Sequence, residues 1–120
     1  MGMRKVAVLV LAGTETHEGL GRLVNALMLA QELKEAGDEV RLLFDGAGTQ
    51  GLAALAVPSH KAHKLLLAVR DRIQGACAYC ARAFGAREAL EAAGFPFLGD
   101  YRDHPSLRGL LEEGYTLITF

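Results

Sequence analysis

Short apolar segments alternating with amphipathic ones predict an α/β fold, with a mostly parallel sheet held between helical layers. Three observations carry this. Arg4 to Leu11 is a continuous Val- and Leu-rich run without polar alternation, the pattern of a strand covered on both faces. Leu20, Leu23, Val24, Leu27, Met28 and Leu33 then recur close to helical spacing, and Gly37 stops them. Glu39 to Phe44 is a second short apolar run, so the first third reads strand, helix, strand, as in a right-handed βαβ unit.

The remaining elements continue the alternation. Asp45 to Gly48 breaks the second strand, and Leu52 to Val57 is expected to be a short helix ending before Pro58. Ser59 is placed to cap the next helix, whose core face would be Ala62, Leu65, Leu66, Val69 and Ile73. Ile73 to Cys77 is a short third strand, Tyr79 to Phe84 a helix, and Arg87 to Ala93 another, stopped by Gly94. Phe95 to Leu98 is a fourth strand, weakened by Pro96. Pro105 to Glu113 is a helix with Pro at or near its first turn, and Tyr115 to Phe120 is the final strand. No linker or repeat interrupts the 120 residues, which form a single domain, residues 1–120.

Composition narrows the function classes. The chain is 51% hydrophobic and 22% charged, which suits a filled core. Thirteen basic and fourteen acidic residues leave a net charge of −1, so no nucleic acid or membrane partner is expected, and weak charge repulsion favours a homo-oligomer. Met1-Gly2-Met3-Arg4-Lys5 begins like a signal peptide, but the apolar run after it is only about seven residues and leads into an acidic loop. No stretch approaches the roughly 20 apolar residues of a membrane span. A cytoplasmic location follows as the expectation. In that reducing compartment the two cysteines are not a disulfide framework and point to redox, sulfur or metal chemistry.

In parallel sheets, ligands gather where strands end and helices begin. Cys77 and Cys80 stand at such a junction, three residues apart and thus on one helical face. Cys77 is expected at the helix cap, where unpaired N–H groups and the helix dipole stabilise the reactive thiolate, with Arg82 adding charge if it folds back. Two buried cysteines acting as small hydrophobes are the bland alternative. Zinc is the third: His60 and His63 with Cys77 and Cys80 supply four ligands, but in an unusual order, with short His spacing, and on the polar side of a helix. No metal site is therefore assigned.

Other loops offer binding candidates. Gly46-Ala47-Gly48-Thr49-Gln50-Gly51 has G-x-G-x-x-G spacing, but it follows the second strand and lacks a later acid about 20 residues on, against a dinucleotide site. Asp45, Gly46 and Gly48 are kept as a turn that could bind an anion through free N–H groups. His17, in the loop Thr14 to Glu18, and His104, in Asp100 to His104, could each tune a thiolate if the fold brings them near. Thr14 or Thr16 would otherwise simply cap the first helix. There is no serine elbow, P-loop lysine or paired-carboxylate arrangement.

The order of Gly21 to Leu27, Ala36 to Val40, Phe44 to Thr49, Cys77 to Gly85 and Gly114 to Phe120 resembles the DsrE/DsrF-like family over nearly the whole chain. The resemblance implies a three-layer α/β/α domain with a largely parallel five-stranded sheet, and homo- or hetero-oligomers. Some members carry sulfur as a persulfide on one cysteine after a middle strand and pass it between proteins, in sulfur oxidation or tRNA thiolation. That segment corresponds here to Cys77 and Cys80, two cysteines where the relay members have one active residue.

The leading expectation is a sulfur (persulfide) carrier or thiol-redox protein. Cys77 would be the more activated thiol and Cys80 its resolving partner or the alternative carrier. It would need no organic cofactor, only sulfur-donor and acceptor proteins. A non-catalytic oligomeric binding module with structural cysteines is second, and a Cys/His metal site third.

Overall fold

The computed structural model describes residues 4–120; the start Met1-Gly2-Met3 lies outside them. Five strands, β1 (Lys5–Val10), β2 (Glu39–Phe44), β3 (Ile73–Cys77), β4 (Phe97–Leu98) and β5 (Thr116–Thr119), form one sheet in the order β4-β3-β2-β1-β5. Every pairing is parallel, so the expected α/β class holds.

That order decides where the helices lie. From β1 to β4 each strand is added on the same side of the last. Right-handed crossovers then put α1 (His17–Glu35), α2 (Gly48–Leu55), α3 (His63–Val69), α4 (Ala78–Ala83) and α5 (Arg87–Ala92) on one face. The step from β4 to β5 runs back past β1, which puts α6 (Leu107–Glu112) on the other.

The core records this split. Val6, Val8 and Val10 of β1 pack with Leu42 and Phe44 of β2, Leu23 and Leu27 of α1, Leu52, Leu66 and Leu90. The alternate residues Ala7, Leu9 and Leu43 face the other way, against Leu110 of α6 and Tyr115. Alternation that was invisible in the uniformly apolar run thus sorts side chains between two covered faces.

Local chemistry sets the ends of these elements. Thr16 caps α1 by accepting from Gly19 N, and Gly37 at φ 83° continues from the C-cap Ala36. Four sequence expectations change. Helix α2 starts at Gly48 rather than Leu52, so the glycine-rich run is its first turn. Ser59 is not a helix cap: residues 58–62 form turns, and the His60 ring nitrogen accepts from Ala62 N just before α3. Ile73 begins β3 after a 3-10 turn at Arg70–Arg72 and does not belong to α3. Pro105 precedes α6, and Ser106 caps it by accepting from Gly109 N.

Close approach demands glycine at positions 19, 48 and 75, the last two against the sheet. A Cβ on Gly48 would stand 2.1 Å from Val10 O, because α2 starts directly against the end of β1. A Cβ on Gly75 would meet Pro96 O at 2.6 Å, next to the irregularity where β3 slips one residue against β2. Pro96 itself accepts from Ala76 N and leaves β4 only two residues.

Among the described residues, no helix is long and apolar enough to cross a membrane.

Candidate functional site

The ends of β2, β3 and β4 lie side by side in the sheet, so the loops that follow them converge. Asp45 follows β2, Cys77 ends β3, Cys80 lies one turn into α4, and His104 sits in the loop after β4. One ligand atom from each of these four residues falls within 4.8 Å of the other three.

Cys77 is the N-cap of α4, and its sulfur accepts from Cys80 N at 3.4 Å. Its Sγ also lies 3.2 Å from His104 Nδ1 and 3.8 Å from the backbone oxygen of Asp103. Both cysteines are free; Cys77 is fully buried and Cys80 half-buried.

A tight turn aims His104. Tyr101 and His104 exchange two backbone hydrogen bonds of 2.8 Å, with Arg102 (φ 49°) and Asp103 (φ 70°) between them. Positive φ at both central residues is the type I′ geometry, usually taken by glycine or Asn/Asp, and such strain is tolerated only where surrounding contacts impose it. The contacts are present: Asp103 O accepts from Tyr79 N, its carboxylate pairs with Arg82, and the Tyr79 ring packs 4.9 Å from the imidazole.

The expected activation of Cys77 is reversed. Burial pushes its thiol up to about 12, against the smaller downward pull of the Cys80 N–H, and the Asp45 carboxylate raises it further. Cys80 is also raised, first by burial and then by Asp45, while the Gly46 N–H opposes this. Helix α4 has only six residues and a correspondingly weak dipole, so desolvation wins. Arg82, expected to assist the thiolate, is committed to Asp103 instead.

The binding candidates from the sequence divide. Asp45 and His104 join the cysteines. Gly46 stands beside Cys80, although its N–H already donates to Asp45 Oδ1 at 2.9 Å. Gly48 N donates to Asp45 O, so it offers no free anion-binding group, and the residue is needed for packing. His17 is exposed at the start of α1, after β1, a strand itself two spacings or about 10 Å from β3, and it does not join the cluster. His60 and His63 stay apart from the cysteines too: His63 Nδ1 engages Leu55 O at 2.8 Å.

Sequence reading missed Tyr79 and Asp103, which hold His104 in place. It also missed an open cavity of about 650 Å3 beside the cluster, lined by Asp45, Tyr101, His104, Ser106, Arg108 and Glu112. Only the polar run Asp100 to His104 after a strand hinted at these roles.

No family model matches the chain. It is 28% identical over 118 residues to an uncharacterized protein of Methanocaldococcus jannaschii, spanning 98% of this chain and 96% of that one. Among solved structures it is similar to a conserved protein of unknown function from Bacteroides thetaiotaomicron. The TM-score is 0.62 at 17% identity, over 95% of this chain and 94% of the other, a likeness of fold.

Proposed function

We propose that this chain is a small thiol carrier of the DsrE/DsrF-like kind, which accepts sulfur as a persulfide or cycles as a dithiol through Cys80 and Cys77. The observation that supports this is the convergence of both sulfurs with the His104 imidazole, whose Nδ1 stands 3.2 Å from Cys77 Sγ, beside an open cavity.

The exposures favour Cys80 as the group that meets a donor, and Cys77 as the resolving thiol. The Cys80 thiolate attacks the outer sulfur of a donor persulfide. An S–S bond forms at Cys80, the donor's S–S bond breaks, and the donor leaves as its thiol. Sulfur is released when Cys77 attacks the inner sulfur of the Cys80 persulfide. A Cys77–Cys80 disulfide forms, hydrogen sulfide departs, and His104, 3.2 Å from Cys77 Sγ, takes the Cys77 proton and returns it to the leaving sulfur. The disulfide must then be reduced by an external thiol. A direct hand-over to an acceptor thiol needs no such step.

This reading sets the protein in a compartment that keeps thiols reduced, the cytoplasm, with sulfur-donor and acceptor proteins as partners and self-association as its expected state.

Intact-protein mass spectrometry after exposure to glutathione persulfide tests it. Cys77→Ser, which lacks the resolving thiol, should gain one sulfur atom; wild type should gain one sulfur atom or lose two hydrogens as the Cys77–Cys80 disulfide; Cys80→Ser should do neither. No added sulfur on Cys77→Ser, or the same addition on Cys77→Ser/Cys80→Ser, rejects the proposal. The burial of Cys77 favours a second reading, in which it is simply a core residue. In that case Cys77→Ser would leave the lifetime of the Cys80 persulfide unchanged.

A further inference from the structure

We propose that Asp45, Cys77, Cys80 and His104 form a four-ligand zinc site, distinct from the His60/His63 arrangement that the sequence suggested. The inference does not rest on the sulfur-carrier reading; it rests on the donor set and its geometry. Two sulfurs, an imidazole nitrogen and a carboxylate oxygen within 4.8 Å of one another supply the four donors that a tetrahedral zinc site takes. Around Zn²⁺, with Zn–S of about 2.3 Å and Zn–N or Zn–O of about 2.0–2.1 Å, the edges of such a tetrahedron are about 3.3–3.8 Å. The Cys77 Sγ to His104 Nδ1 separation is already 3.2 Å, and no other pair has to close by more than about 1.5 Å, shared between two side chains.

Charge points the same way. Asp45 places a carboxylate against two thiols, and among the described residues no Lys, Arg or His forms an ion pair with it. Such a group works against a thiolate nucleophile and suits a cation. Two thiolates and one carboxylate on a divalent ion leave a net charge of −1. Sulfur donors select against Mg²⁺ and Ca²⁺, which take oxygen ligands.

The outer contacts also suit a metal site. Gly46 N holds Asp45 Oδ1, Cys80 N holds Cys77 Sγ, and the Tyr101–His104 turn with the Tyr79 ring orients the imidazole. Binding forms two Zn–S bonds, one Zn–N bond and one Zn–O bond, and releases the two thiol protons to solvent without any change of oxidation state. Metal and sulfane sulfur cannot both occupy these thiols, so zinc would block sulfur loading.

The test uses reduced, chelator-stripped protein titrated with Zn²⁺ against a chromophoric chelator, and with Co²⁺ as a spectroscopic probe. Expected are one ion per chain, thiolate-to-cobalt charge-transfer bands with tetrahedral d–d bands, and affinity at least tenfold weaker in His104→Ala and in Asp45→Asn. A His60→Ala/His63→Ala variant should bind as wild type does. Absence of the charge-transfer bands, unchanged affinity in His104→Ala, or loss of binding in the His60/His63 variant would overturn the site. Persulfide loading measured on the same stripped protein separates the two proposals. Sulfur uptake without zinc binding removes only the metal site, and zinc binding without sulfur uptake removes only the carrier.

Discussion

His104 Nδ1 stands 3.2 Å from Cys77 Sγ across 27 residues of chain, and a two-residue turn with left-handed backbone holds it there. The site is thus a junction of three strand ends, and the upward shift of the Cys77 thiol follows from burial and from Asp45 more than from the helix that Cys77 caps.

The two thiols should react in a fixed order. In metal-free protein near pH 7, iodoacetamide should label Cys80 well before Cys77. With Cys77 raised from 9.0 to about 12, its thiolate fraction at neutral pH is about a thousandfold below that of a free cysteine. Peptide mapping of a time course checks this; equal labelling rates would refute it.

Removing the carboxylate should activate both cysteines. Asp45→Asn deletes a negative charge that raises both thiols, so each labelling profile should move to lower pH, and Cys80 should react faster at neutral pH. Unmoved profiles would show that Asp45 does not act on the sulfurs.

The same shift makes the fold sensitive to alkali. The unfolded chain loses the Cys77 proton above about pH 9, while the folded chain keeps it to about 12. Between those values the folded state binds more protons, so this residue's contribution to stability falls as pH rises. Urea unfolding should show that decline in wild type, and a shallower one in Cys77→Ala.

Two glycines should respond oppositely to alanine. Gly48→Ala forces a Cβ to 2.1 Å from Val10 O and should cost about 2–3 kcal/mol or more, because backbone on both sides must move. Gly21, exposed in α1 with nothing within 4 Å of its Cβ position, should gain about 0.5–1 kcal/mol. Chemical denaturation of the two variants checks both signs.

Arg102 is exposed, so substitutions there report backbone strain. Arg102→Gly should stabilise by up to about 1 kcal/mol, and Arg102→Val should destabilise by about 1–2 kcal/mol. If both fall within error of wild type, the φ of 49° contributes no measurable strain.

Much of this protein was written along its chain. The strands, the long helix α1 and the position of Cys77 at a helix cap follow from runs of apolar residues and from local capping, which depend on near neighbours. The errors lie where local signals competed. A G-x-G-x-x-G run looked like a loop because glycine is a poor helix former, yet Gly48 had to open α2 to fit against Val10. Ser59 looked like a cap, but the chain turned first: Ala62 is the N-cap of α3 without any side-chain capping bond, and its own N–H donates to the His60 ring.

The sequence by itself determined the class of fold, the alternation that orders it, and a pair of cysteines, Cys77 and Cys80, at a strand-to-helix junction. Only the tertiary structure decided the company that pair keeps. Strand order places the ends of β2, β3 and β4 together and leaves His17, which follows β1, outside the cluster. It also decided the sign of the thiol shift. A helix cap is a local property and pulls a thiol pKa down; burial and the approach of Asp45 from another strand are non-local, and here they push it up with the larger force.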